Sequence, residues 1–597
     1  MINPRKILGF ILAIGVMLFS GCTLQQMIKL AKDQQLTVTP NPLELHGDSV
    51  TFELSAVLPV KLLKKDKLYT LATTYKYVDQ KIALPDVQFK LTDFPNSAVE
   101  QPKISKKFAF FYKPEIKNGL VTIIGTASDA NQKSKSTPEL TVASGIITTS
   151  RLYKDYSFFT YAAHNYNAAE EYEPVYISFY FEKAISKLSK KELKGANAQY
   201  FENFIKSKKP TRTVAITGTH SPEGAERINT ALSQDRAITI GNYYKETLKK
   251  YAYQELGDSI KFEVKSIVDD WTEFKVRLDS AKNITPEEKA EIKAIVDGSE
   301  GTFTEKEIKL QALKSYKELL KVVYPELRAA KTIIYTIKPK KTAAEISLLA
   351  KGITEGKYKA DTLKDDELLY GATLTPLLEE KIAIYLAATK QADSWVAHNN
   401  LGAAYLESAA KQPDAAKKSA LVDNAITQFE IAKTRKESVE IYANLASAYI
   451  LKGRVADASA AIVCAGSFSP TDDITKGLNS IKAGIEIRGA KYTAAIASAS
   501  NGASAYITKY DLALAYLLSK DFEKAKTAIA AANDGNTTDG LGFYIAAIIA
   551  ARTNDPATTY TNLQKAISIT DSLRAKALDD LEFAKFFTEQ GFKDAIK

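Results

Sequence analysis

Apolar and polar positions divide the chain into three zones of different period. Between 37 and 150 the period is two. Val50-Thr-Phe52-Glu-Leu54-Ser alternates as a half-buried strand does, and Lys107-Phe-Ala-Phe-Phe-Tyr112 and Leu120-Val-Thr-Ile-Ile124 hold the β-branched and aromatic residues that suit a pleated surface. Pro40-Asn-Pro42, His46-Gly-Asp48 and the polar run 128–138 supply turns between them. Short strands at this spacing predict a small β-sandwich. Between 172 and 340 the patterns follow the order β-α-β-α-β-β, with strands at 175–181, 213–218, 261–267 and 332–337, a helix at 197–206 and a second from Asn229. An insertion, 271–328, separates the last two strands; Pro286-Glu-Glu starts a helix in it, and 316–324 reads as another. From 343 to the end the period is helical, and the pattern repeats.

The first residues read as an export signal. Arg5 and Lys6 precede an apolar run, 7–19, that is too short to span a bilayer. The run ends Leu18-Phe19-Ser20-Gly21-Cys22, which resembles a bacterial lipobox. That resemblance implies cleavage after residue 21, lipidation of Cys22 and a tether over 22–36. Later apolar runs are too short to cross a membrane, so the lipid is the expected anchor. Thr-Leu-Gln-Gln-Met follows Cys22 without the acidic cluster that surface-exported lipoproteins of Bacteroidota tend to carry, which favours the periplasmic face of the outer membrane.

Asn229-Thr-Ala-Leu232-Ser233-Gln-Asp-Arg236-Ala237, behind the strand Val214-Ala-Ile-Thr-Gly218 and the turn at Gly224, resembles the N-x-x-L-S-x-x-R-A signature of the OmpA-like, peptidoglycan-associating domain. The resemblance implies an α+β fold over 172–340. It also implies that Arg236 clamps a carboxylate of the wall peptide, with His220, Ser221 and Asn229 around the same pocket. An Asp that would pair with the peptide's ammonium is replaced by Ser221, so weak or no wall binding is implied. The helical insertion and Trp271 look like a variant of OmpA-like proteins from Bacteroidota.

Leu401-Gly402-Ala-Ala-Tyr405, Leu445-Ala446-Ser-Ala-Tyr449 and Leu512-Ala513-Leu-Ala-Tyr516 share one spacing. Ala425, Phe429 and Ala432 follow the first after a Lys/Ala-rich stretch that reads as an inserted loop. Ala458, Ile462 and Ala465 follow the second, and Ala525, Ile529 and Ala532 the third. The pattern resembles the tetratricopeptide repeat, with weaker units at 343–390, 473–502 and 540–570. One such helical pair cannot bury its apolar face, whereas a stack can, so a concave solenoid is expected over 343–597. Arrays of this kind bind protein partners. His398, Asn399, Asn400 and Asn444 are expected to face the groove, where an Asn amide suits a clamp on extended peptide backbone.

Composition changes this picture little. The 597 residues carry a net charge of +10, with Lys and Arg spread along the chain and no basic run interleaved with aromatics that could stack bases. Cys464 sits alone in an apolar helical pattern and is expected to be a buried structural thiol. His46, His164, His220 and His398 are dispersed without metal-ligand spacing, and no phosphate loop or nucleophile elbow is present. Neither metal nor cofactor is expected. Asp269-Asp270 reads as a solvated turn, and His220-Ser221 as a polar loop that lacks an orienting group. The sequence therefore predicts a multidomain, non-catalytic, lipid-anchored scaffold, built from an immunoglobulin-like sandwich, an OmpA-like domain and a tetratricopeptide solenoid, that serves an outer-membrane secretion or assembly machine. A plain peptidoglycan tether and an envelope hydrolase are the competing readings.

Overall fold

The computed structural model describes residues 23–251, 259–268 and 271–597. Cys22 and the Asp269-Asp270 pair lie outside the described residues. The chain divides into two units, Met1–Asn165 with Ile346–Lys597, and Tyr166–Glu345.

In the first unit, alternation builds the sandwich. In one sheet β1 (Gln35–His46) pairs β2 (Ser49–Val57), β2 pairs β6 (Lys103–Phe111), and β10 (Ile146–Ile147) lies parallel to β1. In the other, β3 (Lys67–Tyr77) pairs β4 (Gln80–Ala83), β5 (Val87–Lys90) and β7 (Leu120–Asp129), and β7 also takes β8 (Ser134–Ser136) and β9 (Leu140–Ser144). Val50, Phe52, Leu54 and Ala56 of β2 point inward and share a core with Leu71, Tyr75, Val121 and Ile123. The stretch expected to be a tether is ordered. Residues 23–30 form a helix, and Leu24, Met27, Ile28 and Ala31 join that core. Three apolar side chains at i, i+3 and i+4 give the helix one face to bury, a signal too short to stand out beside the apolar run 7–19.

Five antiparallel hairpins form the solenoid: Trp395–Lys411 with Ala415–Arg435, Val439–Leu451 with Val455–Gly466, Asp472–Arg488 with Tyr492–Ser500, Tyr506–Leu518 with Phe522–Gly535, and Gly540–Arg552 with Pro556–Ile569. Ser394, Ser438, Thr471, Asp521 and Asp555 cap five of these helices with their side-chain oxygens. The motif residues Leu401, Phe429, Leu445, Ala446, Ala513 and Ile529 are buried between helices. The expected loop after Tyr405 is instead the first half of helix Ala415–Arg435, because Ala and Lys are strong helix formers. The weak first unit is not a hairpin; helices Ala343–Thr354, Asp365–Gly371 and Leu378–Ala392 occupy it. Cys464 is half-buried rather than buried, on the outer helix of its hairpin beside the exposed Val463.

The sandwich and the solenoid meet at an ion cluster. Arg552 reaches Glu44 of β1 at 2.8 Å and grips Glu582 with two bonds of 2.7 Å. Thr149 donates to Glu582, Lys117 pairs with Asp579, and His46 bonds the Tyr492 hydroxyl.

The second unit has one four-stranded sheet in the order β11 (Tyr172–Tyr180), β14 (Ala329–Ile337), β12 (Thr211–Gly218), β13 (Lys261–Ser266). Only β12 and β13 run parallel. Helices Ala196–Lys206 and Glu226–Lys250 pack on the sheet through Phe201, Ala237 and Tyr244 against Phe179, Val214 and Ile216. The insertion folds around a core of its own, with Phe274, Leu278, Ile292, Val296, Leu310 and Tyr324 buried. Capping boxes at Thr285/Glu288 and Thr302/Glu305 start two of its helices. Among the described residues, no helix is long and apolar enough to cross a membrane.

Candidate functional site

The groove of the solenoid is filled by the chain itself. The residue just before the repeat leucine is Asn400, Asn444 or Asp511 in the three clear repeats, and each turns its side chain to an extended segment, 152–162, that follows the sandwich. Asn400 accepts from the Ala162 amide at 2.7 Å and donates to the Ala162 carbonyl at 3.0 Å. Asn444 does the same for Thr160, at 2.8 Å both ways. Asp511 accepts from the Lys154 amide at 2.9 Å, Ser447 from Phe158, and the Tyr510 hydroxyl donates to the Leu152 carbonyl. The two Asn amides thus mimic an antiparallel strand, which exchanges both hydrogen bonds with one opposing residue. Burial pushes the Asp511 carboxyl well above its ordinary range and favours its uncharged form.

Side chains fix the register. Arg488 holds Asp155 with two bonds of 2.6 and 2.8 Å, Lys154 pairs with Asp539, and Tyr161 donates to Glu407. The segment runs from the C-terminal hairpins towards the N-terminal ones. Phe158 packs where a Cβ on Gly477 would stand 2.7 Å from its ring, so only glycine admits it. Gly477→Ala should lower global stability by no more than about 2 kcal/mol, because a gain of about 1 kcal/mol in helix propensity offsets part of an overpacking cost of about 1–3 kcal/mol. Hydrogen exchange of residues 155–161 should nevertheless accelerate; unaltered protection there would show that Phe158 does not anchor the segment.

Of the four groove residues expected from sequence, Asn399, Asn400 and Asn444 lie in this clamp. Asn399 bridges the other two and reaches the Thr160 carbonyl. The ligand they hold is the chain's own backbone, not a partner peptide. His398 is not in the groove. Its ring sits between Asp393 and Gln428, at 2.8 and 2.7 Å, and ties its helix to the next. Sequence reading missed Asp511, although it occupies the Asn444 position of its repeat, and it left 151–171 unassigned.

In the second unit the expected pocket residues come together, and each of them already bonds within the protein. Arg236 is 1% exposed. Its guanidinium donates to the carbonyls of Thr219, Ile185 and Glu182 and lies over the Phe181 ring. Burial, with Arg328 nearby, lowers it to about 10. The Ser221 hydroxyl accepts from Arg328 at 3.1 Å, and Arg328 pairs with the buried Glu223 at 2.6 Å. A cation therefore stands where the resemblance implies a grip on an ammonium. His220 bonds the Ser221 carbonyl, and Phe303 of the insertion packs on its ring. Asn229 reaches back to the Gly224 carbonyl, and its own carbonyl accepts from Ser233. The Ser233 backbone lies so close to Gly218 that a Cβ there would sit 1.8 Å from its carbonyl oxygen. Asn229, Ser233 and Arg236 of the motif thus have structural tasks.

No protein-family model matches the chain, and no curated protein matches it. Among solved structures, it is similar to the Cut9–Hcn1 hetero-tetramer of the APC/C, at 12% identity over 63% of this chain and 77% of that one, with a TM-score of 0.32. It is also similar to the C-terminal part of a TPR repeat-containing protein from Cytophaga hutchinsonii, at 15% identity over 39% of this chain and 91% of that one, with a TM-score of 0.27. A third likeness, to E. coli alpha-2-macroglobulin, has 11% identity, covers 87% of this chain and 26% of that one, and has a TM-score of 0.13.

Proposed function

We propose that the protein is a non-catalytic scaffold of a bacterial outer-membrane machine, held at the periplasmic face by lipid on Cys22 and recruiting a protein partner through its tetratricopeptide-like solenoid. The observation that carries this reading is the stack of five helical hairpins, an architecture whose repeated helix faces suit protein partners. Because the chain's own segment fills the groove, the partner surface falls on the outer helices, where Val463 of helix Val455–Gly466 is 75% exposed. The strand order of the second unit and its Asn229–Ala237 motif support the OmpA-like reading. Its wall contact is weak, since Arg236 and Ser221 have partners within the protein.

A photo-crosslinker at Val463 in intact cells tests the scaffold. It should capture one stoichiometric envelope protein, and Cys22→Ala should release the chain from the outer-membrane fraction. Recovery of wall fragments alone would replace the scaffold with a tether.

A further inference from the structure

The sandwich has two ends with different tasks. At one end, His46 pairs Ser49 and Lys117 reaches Asp579, and this end abuts the solenoid. The other end holds the start of β1 against the end of β2, and the start of β3 against the end of β7. The Tyr69 hydroxyl donates to Gln34 there, at 2.8 Å, so the helix 23–30 that leads into β1 belongs to this end. That helix begins one residue after Cys22 and is already locked by Leu24 and Met27, which are 2% and 0% exposed. One residue spans about 3.8 Å. A lipid on Cys22 would be joined to this ordered helix with no linker between them, so the sandwich end at which the helix enters β1 is the end nearest the anchor along the chain.

We infer that this end, with Lys61, Lys64, Lys65 and Lys90, is a contact surface for anionic lipid headgroups; the inference rests on the lipid-anchor reading above. Lys64, Lys65 and Lys90 rim a cleft of about 760 Å³ whose apolar wall includes Leu68, Leu91 and Pro95. Lys61 is exposed on the adjoining loop, where its amide donates to Ser97, two residues before Val99, which is 80% exposed. None of the four lysines is held in an ion pair among the described residues, whereas Lys67 of the same cleft is matched to Asp129 at 3.6 Å. Asp66 is the remaining acid of the rim and leaves it net positive. A basic rim over an apolar wall suits a headgroup phosphate and the acyl root beneath it. Lysines near an anionic membrane each contribute about 1 kcal/mol, or roughly five-fold in partition, and the contribution is lost as salt screens it.

The test uses the chain from residue 22 with Cys22→Ser, which carries no acyl group. Sedimentation with vesicles of phosphatidylcholine, and of phosphatidylcholine mixed with phosphatidylglycerol, should show partition at least about ten-fold stronger onto the second, falling at high salt. The quadruple variant K61Q/K64Q/K65Q/K90Q should lose that preference. The control K390Q/K417Q/K526Q/K593Q removes four exposed solenoid lysines and should keep it. Equal partition onto both vesicles, or equal loss in the control, overturns the inference. Fatty-acid labelling of the native chain reads the anchor separately. Labelled Cys22 with no phosphatidylglycerol preference sinks this surface and leaves the anchor standing. Unlabelled Cys22 with a lysine-dependent preference sinks the anchor and leaves the surface standing.

Discussion

Replacing Asn400 and Asn444 together by alanine should free residues 152–162 from the solenoid groove. Each amide serves both backbone groups of one residue, Ala162 or Thr160, so the double variant removes four hydrogen bonds and leaves only the 3.4 Å contact from Asn399 to the Thr160 carbonyl. An orphaned buried group costs about 1–3 kcal/mol, but water entering from the open side of the groove reduces each loss to the net value of a hydrogen bond, about 0.5–1 kcal/mol, so the four lost bonds cost about 2–4 kcal/mol in all. Asn399 loses both neighbours that orient it as well. Chymotryptic cleavage at Phe158, Phe159 and Tyr161 should then rise about 30-fold or more, as follows from shifting a local opening equilibrium by that amount. Asn400→Asp keeps an acceptor for the Ala162 amide but loses the donor, and should fall between. An unchanged cleavage rate in the double variant would mean that side-chain pairs such as Arg488–Asp155 hold the segment without the clamp.

The sequence shows the chemistry of this clamp but not its ligand, and the reason is physical. Asn400 and Asn444 stand out because an amide on a helix face otherwise lined by Ala, Leu and Tyr needs a polar task. Residues 152–162 carry no comparable signal. They have no period, since they form neither helix nor strand, and their backbone is satisfied by side chains more than two hundred residues away. The helical repeats were legible from the spacing of Leu401, Leu445 and Leu512, and the strands of both β-regions from alternation and β-branching. The helix 23–30 was hidden beside the stronger apolar run 7–19, and the extension of Ala415–Arg435 was hidden because Lys/Ala-rich sequence reads equally as loop or as solvated helix. The Asn229–Ala237 motif located its helix correctly. That Arg236 turns inward follows from the carbonyls of Thr219, Ile185 and Glu182, which lie outside the motif and which only the fold brings to it.

Arg552→Ala should loosen the sandwich from the solenoid by about 3–5 kcal/mol, the usual cost of leaving buried charge uncompensated. Its guanidinium is shared between Glu44 and Glu582, whose side chains are 13% and 2% exposed. The triple change Arg552→Met, Glu44→Gln, Glu582→Gln removes every charge at once and should recover most of the loss. Acid should act on the same junction through Glu44. Burial alone raises its carboxyl, but the His46 hydrogen bond and the charge of Arg552 outweigh it and hold the group at about 2, below its ordinary 4.5. A carboxyl that gives up its proton more readily folded than unfolded contributes stability that is complete above 4.5. That stability is lost as pH falls towards 2, and it is worth roughly 3 kcal/mol over the window. Acid unfolding of the junction, followed by proteolysis at residues 148–152, which lead from β10 into the groove segment, should therefore steepen between pH 4.5 and 2 in the native chain. In Glu44→Gln that segment of the curve should flatten. If the two profiles coincide, Glu582 carries the junction alone, and the bond from Arg552 to β1 is incidental to it.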